Sequence, residues 1–132
     1  MLLFLVYNLP QINTLLRQNG NLTSVRTTAR FIKNDIDKFG YQNYNLVLLD
    51  GTRDYPAHSF RYFLEVFGGQ PLSEADYPQT RVLYVISPYS QPDVLAEQIW
   101  EIKSLQPAEL VESWQFPTSE NIYKIIRLWK FL

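Results

Sequence analysis

A chain of 132 residues, 46% hydrophobic and 19% charged, has the material for one hydrophobic core and is too apolar for a disordered polymer. Its net charge of -1, with basic residues scattered along the chain, gives no electrostatic pull toward nucleic acid. The absence of cysteine and the single histidine exclude disulfide scaffolds, thiol catalysis and Cys- or His-rich metal centres. No Asp/Glu cluster has the spacing of a cation-binding loop, so neither a metal nor a cofactor is expected.

The chain opens MLLFLVYNLPQ. A signal peptide needs a basic start and a small-residue cleavage site, and this stretch has neither. A complete membrane span needs roughly 20 apolar residues, whereas Asn8, Pro10, Gln11 and Asn13 arrive early. Two readings fit: a short element packed on the core, or the last turns of a membrane helix whose remainder lies upstream. Residues 1–22 are therefore taken as an apolar segment and its connection, and 23–132 as a single domain. LPQINTLL (9–16) can form a short helix or an exit segment, RQNGN is a loop, and Asn21-Leu22-Thr23 fits a glycosylation acceptor.

The first clear helix is TSVRTTARFIKNDIDKFG. Val25, Ala29, Ile32, Ile36 and Phe39 recur at helical spacing, Thr23 or Ser24 can cap the start, and Gly40 suits the position after the end. YNLVLLDG then carries an unbroken apolar run, Leu46–Leu49, as expected of a strand buried on both faces. DYPAHSFRYFLEVFGG reads as a second helix, with Asp54 as cap, Pro56 near the first turn and Gly68-Gly69 as the stop. Its Tyr55, Phe60, Phe63, Leu64 and Phe67 are read as core rather than as the lining of a lipid or sugar groove. QPLSEADYPQT is a polar loop, and RVLYVIS is a second buried strand.

Ser90 and Asp93 then form a capping-box pair ahead of a third helix, whose stripe is Leu95, Ile99, Ile102 and Leu105 and which Pro107 ends. AELVESWQF and NIYKIIRLWKFL, joined by PTSE, read as a hairpin. Tyr123, Ile125, Arg127 and Trp129 fall on one face of its second strand, and Ile122, Lys124, Ile126, Leu128 and Lys130 on the other. Polar residues on both faces mark this last strand as an edge, with Lys discouraging aggregation.

Strands alternating with helices imply an α/β fold. The expected architecture is a two- or three-layer mixed sheet of about four strands, mostly parallel, closed by a C-terminal antiparallel hairpin. Leu46–Asp50, Val82–Ser87 and Leu110–Trp114 should run parallel, with Ile122–Leu128 antiparallel to the third. Val47, Leu49, Leu83, Val85, Ile32, Ile36, Phe63, Ile99 and Ile102 should be buried.

In open α/β sheets ligands bind beyond the carboxyl ends of the strands. That rule selects Asp50, Thr52, Arg53, Asp54 and His58 after the first strand and Ser87, Tyr89 and Ser90 after the second. Helix N-termini follow both loops, and Arg53 and His58 add positive charge, so a small anionic group such as a phosphate is one expectation. The other is structural: Asp54 and Ser90 cap helices, Asp50 orders a turn, and His58 packs on the first turn. No glycine-rich phosphate loop and no nucleophile elbow is present. A Ser-His-Asp set can be drawn on paper from Ser87, His58 and Asp50, but no spacing supports it. Asp35 and Asp37, two apart on a helix, do not face one another.

The segment ARFIKNDIDKFGYQNYNLVLLDGTRDYPAHSFRYFLEVFGG, followed by VLYVIS, resembles the C-terminal soluble region of bacterial membrane glycosyltransferases of the GT-C fold, the dolichyl-phosphate-mannose–protein mannosyltransferase-like proteins. In that family a last membrane helix leads into a helix like Ala29–Phe39. A buried strand then leads into an RYF-type segment, here Arg61-Tyr62-Phe63. The resemblance covers roughly residues 1 to 90 and rests on segment order and texture. It implies that Met1–Leu9 contacts a membrane and that the domain lies on the extracytoplasmic face of a bacterial cell membrane. There it would serve an enzyme that uses a lipid-linked sugar and an acceptor. The family's catalytic acidic residues lie in a first extracytoplasmic loop that has no counterpart here, so no catalytic residue carries over. A freestanding α/β binding module, which would also suit the cytoplasm, and a small enzyme built on the strand-end loops are the other two readings.

Overall fold

The computed structural model describes residues 22–117 and 122–130. The membrane-stub reading of Met1–Leu9, the 9–16 segment and Asn21 lie outside them. The sheet has four strands, β1 (Tyr44–Leu48), β2 (Val82–Ser87), β3 (Ala108–Pro117) and β4 (Ile122–Lys130), in the order β1-β2-β4-β3. The general α/β class is as the sequence implies; the mostly parallel pairing is not. Only β1 and β2 pair in parallel, while β4 is antiparallel to both β2 and β3. The strand β3 does run in the direction of β1 and β2, but across β4 from them.

The position of β4 corrects its reading as an edge. Ile125, Ile126 and Leu128 are fully buried, the first on one side of the sheet and the other two on the opposite side. A strand that fills two cores is stabilised by neighbours on both flanks. The lysines that argued for an edge sit near its two ends. Lys124 pairs with Ser87 at the end of β2, and Lys130 donates to the carbonyls of Pro78 at 3.0 Å and Ser104 at 3.2 Å. The edge is instead β3, where Glu109, Val111, Glu112 and Gln115 are exposed and an irregularity between Leu110 and Glu112 shifts the register.

Helices cover both faces, making three layers. On one face lie α1 (22–39) and α2 (His58–Val66). Ile32 and Ile36 of α1 and Leu64 of α2 pack there on Leu46, Leu48, Val82, Tyr84, Ile86 and Ile125. On the other face lie α3 (Gln91–Ala96), α4 (Trp100–Lys103) and a 3-10 helix (Glu74–Gln79). Val94, Ile102, Leu105 and Tyr77 pack there on Val47, Leu49, Leu83, Val85, Ile126 and Leu128. Burying each aliphatic side chain of these two clusters contributes about 1.5–3 kcal/mol before the entropy of ordering is subtracted.

Four local expectations change. The third helix is split into α3 and α4, because Glu97 (ψ 136°) and Ile99 (ψ 150°) are extended. Phe63 and Ile99 are half-buried rather than fully buried. Phe39, at the end of the α1 stripe, is 48% exposed and stacks on Tyr41 with centroids 5.5 Å apart. The polar loop before β2 holds the 3-10 helix, whose Tyr77 is buried and donates to the Leu46 carbonyl at 2.5 Å.

Both long helices end as their glycines dictate. Gly40 has φ +68°, and Tyr41 N–H donates back to Ile36 O at 3.1 Å. Gly68 has φ +84° and donates to Glu65 O, while Gly69 donates to Leu64 O, each at 2.9 Å.

The helix α1 runs against the direction of β1 and β2. Near its C-terminal end, Tyr41 packs on Trp129, which pairs with Val82 at the start of β2. One turn back, Asp35 meets Tyr84 in mid-strand. Phe31 packs on Trp114, which pairs through Ile125 with Ile86 near the end of β2. Nine residues at about 1.5 Å each then carry residue 22 roughly 13 Å farther, beyond the carboxyl ends of the parallel strands.

Among the described residues the outer flank of β1 meets no strand, yet its backbone groups find partners. Leu72 N–H donates to Tyr44 O, and Leu48 N–H donates to Tyr55 O. Leu46 N–H donates to Asn45 Oδ1, and Leu46 O accepts from Tyr77. Arg61 of α2, only 9% exposed, holds the surrounding loops together. It donates to Leu72 O at 2.7 Å, to Asn45 Oδ1 at 2.5 Å and to Pro56 O at 3.4 Å.

Candidate functional site

The loops after β1 and β2 come together at the carboxyl end of the parallel pair. Ser87 Oγ donates to Leu49 O at 2.9 Å, and a Cβ on Gly51 would lie 4.0 Å from the Tyr89 hydroxyl. The eight candidate residues thus share one end of the sheet. Their polar atoms are largely committed to the local backbone.

Asp50 Oδ1 accepts from Thr52 N–H at 3.0 Å and from the Thr52 hydroxyl at 2.6 Å, closing an Asx turn. Thr52 Oγ1 accepts from Asp54 N–H at 3.4 Å. Arg53 is exposed with φ +65°, the left-handed conformation the turn demands. Asp54 Oδ2 accepts from His58 N–H, the first amide of α2, at 3.1 Å, but the cap position itself is Ala57, at φ +57°, so Asp54 and Pro56 lie in the turn ahead of the helix rather than at its cap and first turn. Ser87 is buried, and its Oγ also accepts from Tyr89 N–H at 3.0 Å. Ser90 Oγ caps α3 by accepting from Asp93 N–H at 3.4 Å, and its hydroxyl donates to the Asp93 carboxylate, in place of the backbone N–H that a capping box would use. Tyr89 is exposed.

His58 is the exception, because both ring nitrogens face carboxylates. Nδ1 lies 2.5 Å from Asp54 Oδ1 and Nε2 lies 2.8 Å from Glu74 Oε1. The hydrogen bond to Asp54 raises the imidazole pKa above its usual value; desolvation, the next-largest effect, opposes the rise, and the bond to Glu74 adds to it. The imidazolium form then donates at both ends and ties the start of α2 to the 3-10 helix. The paper triad is not assembled: Ser87 meets Leu49 O, His58 meets Asp54 and Glu74, and Asp50 meets Thr52. Among the described residues no group of three or more His, Cys, Asp or Glu side chains could hold a metal ion.

The densest polar constellation was not among the expected site residues. Arg127 of β4 is 3% exposed and Asp35 of α1 is 9% exposed, and they meet at 2.6 Å. The Tyr84 hydroxyl donates to the same Asp35 oxygen at 2.6 Å, and Arg127 Nη2 lies 3.4 Å from Glu112 of β3. Rings enclose the guanidinium: Phe39, Tyr41 and Trp114 have centroids 4.7, 5.5 and 5.4 Å from Arg127 Cζ. Burial, reinforced by the Asp35 hydrogen bond and charge, pushes the Tyr84 hydroxyl far above its usual range. Desolvation pulls Arg127 down, but the Asp35 hydrogen bond and charge outweigh it. This is a buried clamp joining α1, β2, β3 and β4, in which Arg127 and Asp35 pair directly and Arg127 Nε stays buried with no hydrogen-bond partner among the described residues. Two sequence signals mark it: Asp35 lies on the buried α1 stripe between Ile32 and Ile36, and Arg127 interrupts the apolar run IIRLW.

Among the described residues no helix is long and apolar enough to cross a membrane. Comparison of the chain with protein-family models, with curated proteins and with solved structures found no match.

Proposed function

We propose that this chain is an accessory α/β domain of a membrane glycosyltransferase that uses a lipid-linked sugar donor, held on the extracytoplasmic face of a bacterial membrane and not catalytic alone. The observation that supports it is the way the resembling segments build the domain. The helix 22–39 leads into the buried strand β1, and β1 leads into the helix carrying Arg61-Tyr62-Phe63. Arg61 of that tripeptide is buried against the flank of β1, and Tyr62 is exposed. The strand-end loops spend their polar atoms on turns and caps, as expected of a domain that supports another part's chemistry. The start of α1 lies at the same end of the sheet as those loops, so an apolar anchor preceding residue 22 would bring them toward the membrane.

The test has two arms. Purified full chain, offered prenyl-phosphate sugars, should give no transfer; turnover abolished by Asp50→Ala would instead favour a small enzyme built on the strand-end loops. Deleting residues 1–9 should leave thermal unfolding almost unchanged and should abolish flotation with liposomes. Unfolding several degrees lower, with no flotation by the intact chain, would make the segment a core element and favour a freestanding module.

A further inference from the structure

Among the described residues nothing covers the outer side of the α1–α2 layer, a surface of mixed aromatic and basic character. Tyr62 and Val66 of α2 are 61% and 59% exposed, and Leu22 of α1 is 52% exposed. Tyr62 meets Phe63 edge-on at 5.2 Å, Phe63 meets Phe67 at 6.4 Å, and the Arg30 guanidinium lies 3.9 Å from the Phe67 centroid. The ladder therefore runs continuously from α2 to α1. On α1, residues 22–34 contain Arg26, Arg30 and Lys33 and no acidic residue, with Lys33 paired to Asp37 one turn on at 2.5 Å, which leaves the two arginines as the cations of the face. Both arginines are exposed. Tyrosine and phenylalanine beside arginine make the composition that partitions into the headgroup region of a bilayer.

The location singles out the occupant. The helix α1 carries Arg26 and Leu22 past the carboxyl ends of β1 and β2, and the 21 residues before it include the apolar run LLFLVY. Leu22 follows that run by fifteen residues, so a bilayer that the run entered would lie within reach of the start of α1. We propose that this face of α1 and α2 docks on the anionic headgroup layer of a phospholipid bilayer. Arg26 and Arg30 meet the lipid phosphates, and Tyr62 and Val66 enter the interface. The inference rests on the membrane-anchored reading above and gives it an orientation: the α1–α2 layer faces lipid and the α3–α4 layer faces away.

The chain has no cysteine, so single cysteines report position cleanly. The full chain is mixed with vesicles of phosphatidylcholine alone or with added phosphatidylglycerol, at low and high salt. Partitioning should favour the anionic vesicles by about tenfold or more, fall at high salt, and lose that preference in Arg26→Glu/Arg30→Glu. Tyr62→Ser/Val66→Ser should weaken binding to both vesicle types. An environment-sensitive dye on Tyr62→Cys should shift to the blue with vesicles, while one on Lys103→Cys of α4 should not. These are surface positions, and unchanged thermal unfolding of each variant confirms its fold. If deletion of residues 1–9 abolishes binding while the face variants bind like the parent chain and the Tyr62 dye stays in water, the membrane reading stands and the docking face is overturned. A Tyr62 dye that shifts with protein concentration in the absence of lipid makes a second copy the occupant and also overturns it. If the intact chain binds no vesicle, both fail.

Discussion

Removing the Asp35 carboxylate by Asp35→Ala should be among the most damaging single changes in this domain. The carboxylate is 9% exposed and takes hydrogen bonds from Tyr84 and Arg127, each at 2.6 Å. Without it, Arg127 keeps, among the described residues, only the Glu112 carboxylate, at 3.4 Å and half in water. Leaving a buried charge without its partner costs about 3–5 kcal/mol. The residual pull of Glu112 argues for the lower half of that range, and the orphaned Tyr84 hydroxyl adds about 1 kcal/mol. A total near 4 kcal/mol corresponds to a fall in Tm of roughly 10–15 °C for a domain of this size. Urea unfolding followed by tryptophan fluorescence gives the free energy directly, since Trp114 and Trp129 lie in the affected region. The paired change Asp35→Leu/Arg127→Met removes both charges together and should come within about 1 kcal/mol of the parent chain. A cost below about 1 kcal/mol for Asp35→Ala alone, or a double variant as unstable as the sum of the singles, would refute the reasoning.

Other perturbations test other parts. Arg61→Ala should cost about 2–4 kcal/mol and raise amide hydrogen exchange at Leu48 and Leu72, because the Leu72 and Pro56 carbonyls lose this donor and Asn45 Oδ1 keeps only Leu46 N–H; protection unchanged at both amides would show that Arg61 does not hold the flank of β1. Gly69→Ala should cost about 1–3 kcal/mol in a chemical-denaturation measurement. Its Cβ would sit 2.8 Å from Leu64 Cγ and 2.9 Å from Leu64 O. His58 contributes with a definite sign. Its folded pKa is raised by Asp54 and Glu74, so its stabilisation is fully present below the unfolded value, about pH 6.5, and disappears as pH rises through the folded value. The gap in denaturation midpoint between the parent chain and His58→Gln should therefore close on going from mildly acidic to alkaline pH, and a gap that widens would contradict the assignment.

The core strands were legible because burial on both faces leaves a direct mark. Leu46–Leu49 and Val82–Ile86 are unbroken apolar runs, and each is buried throughout. The spacing of Ala29, Ile32 and Ile36 fixed the inner face of α1 equally well. Pairing order left no comparable mark. Arg127 looked like a solvated residue on an edge strand, because charge in a strand usually means water. Its partner Asp35 is 92 positions away, too far for any local pattern to show. The break between α3 and α4 escaped for a related reason, since Leu95, Ile99 and Ile102 keep helical spacing across it. At the strand ends, the residue types were those of an anion site and of a set of caps alike. Only geometry distinguishes them, and it assigns Asp50, Asp54 and Ser90 to turns and caps.

The placement of β4 has a consequence for how the chain acquires its shape during synthesis. The strand at the centre of the sheet leaves the ribosome after every other element described here. Until it arrives, β1 and β2 form a lone parallel pair, β3 has nothing to pair with, and the spaces of Ile125, Ile126 and Leu128 stand open on both faces. Asp35 meanwhile waits for its counter-charge. A nascent chain stalled before residue 122 should therefore stay protease-sensitive throughout, α1 included, rather than present a finished half. Emergence of β4 would convert the chain to a resistant state in a single step, so that the last of these four strands completes elements that preceded it by nearly the whole length of the domain.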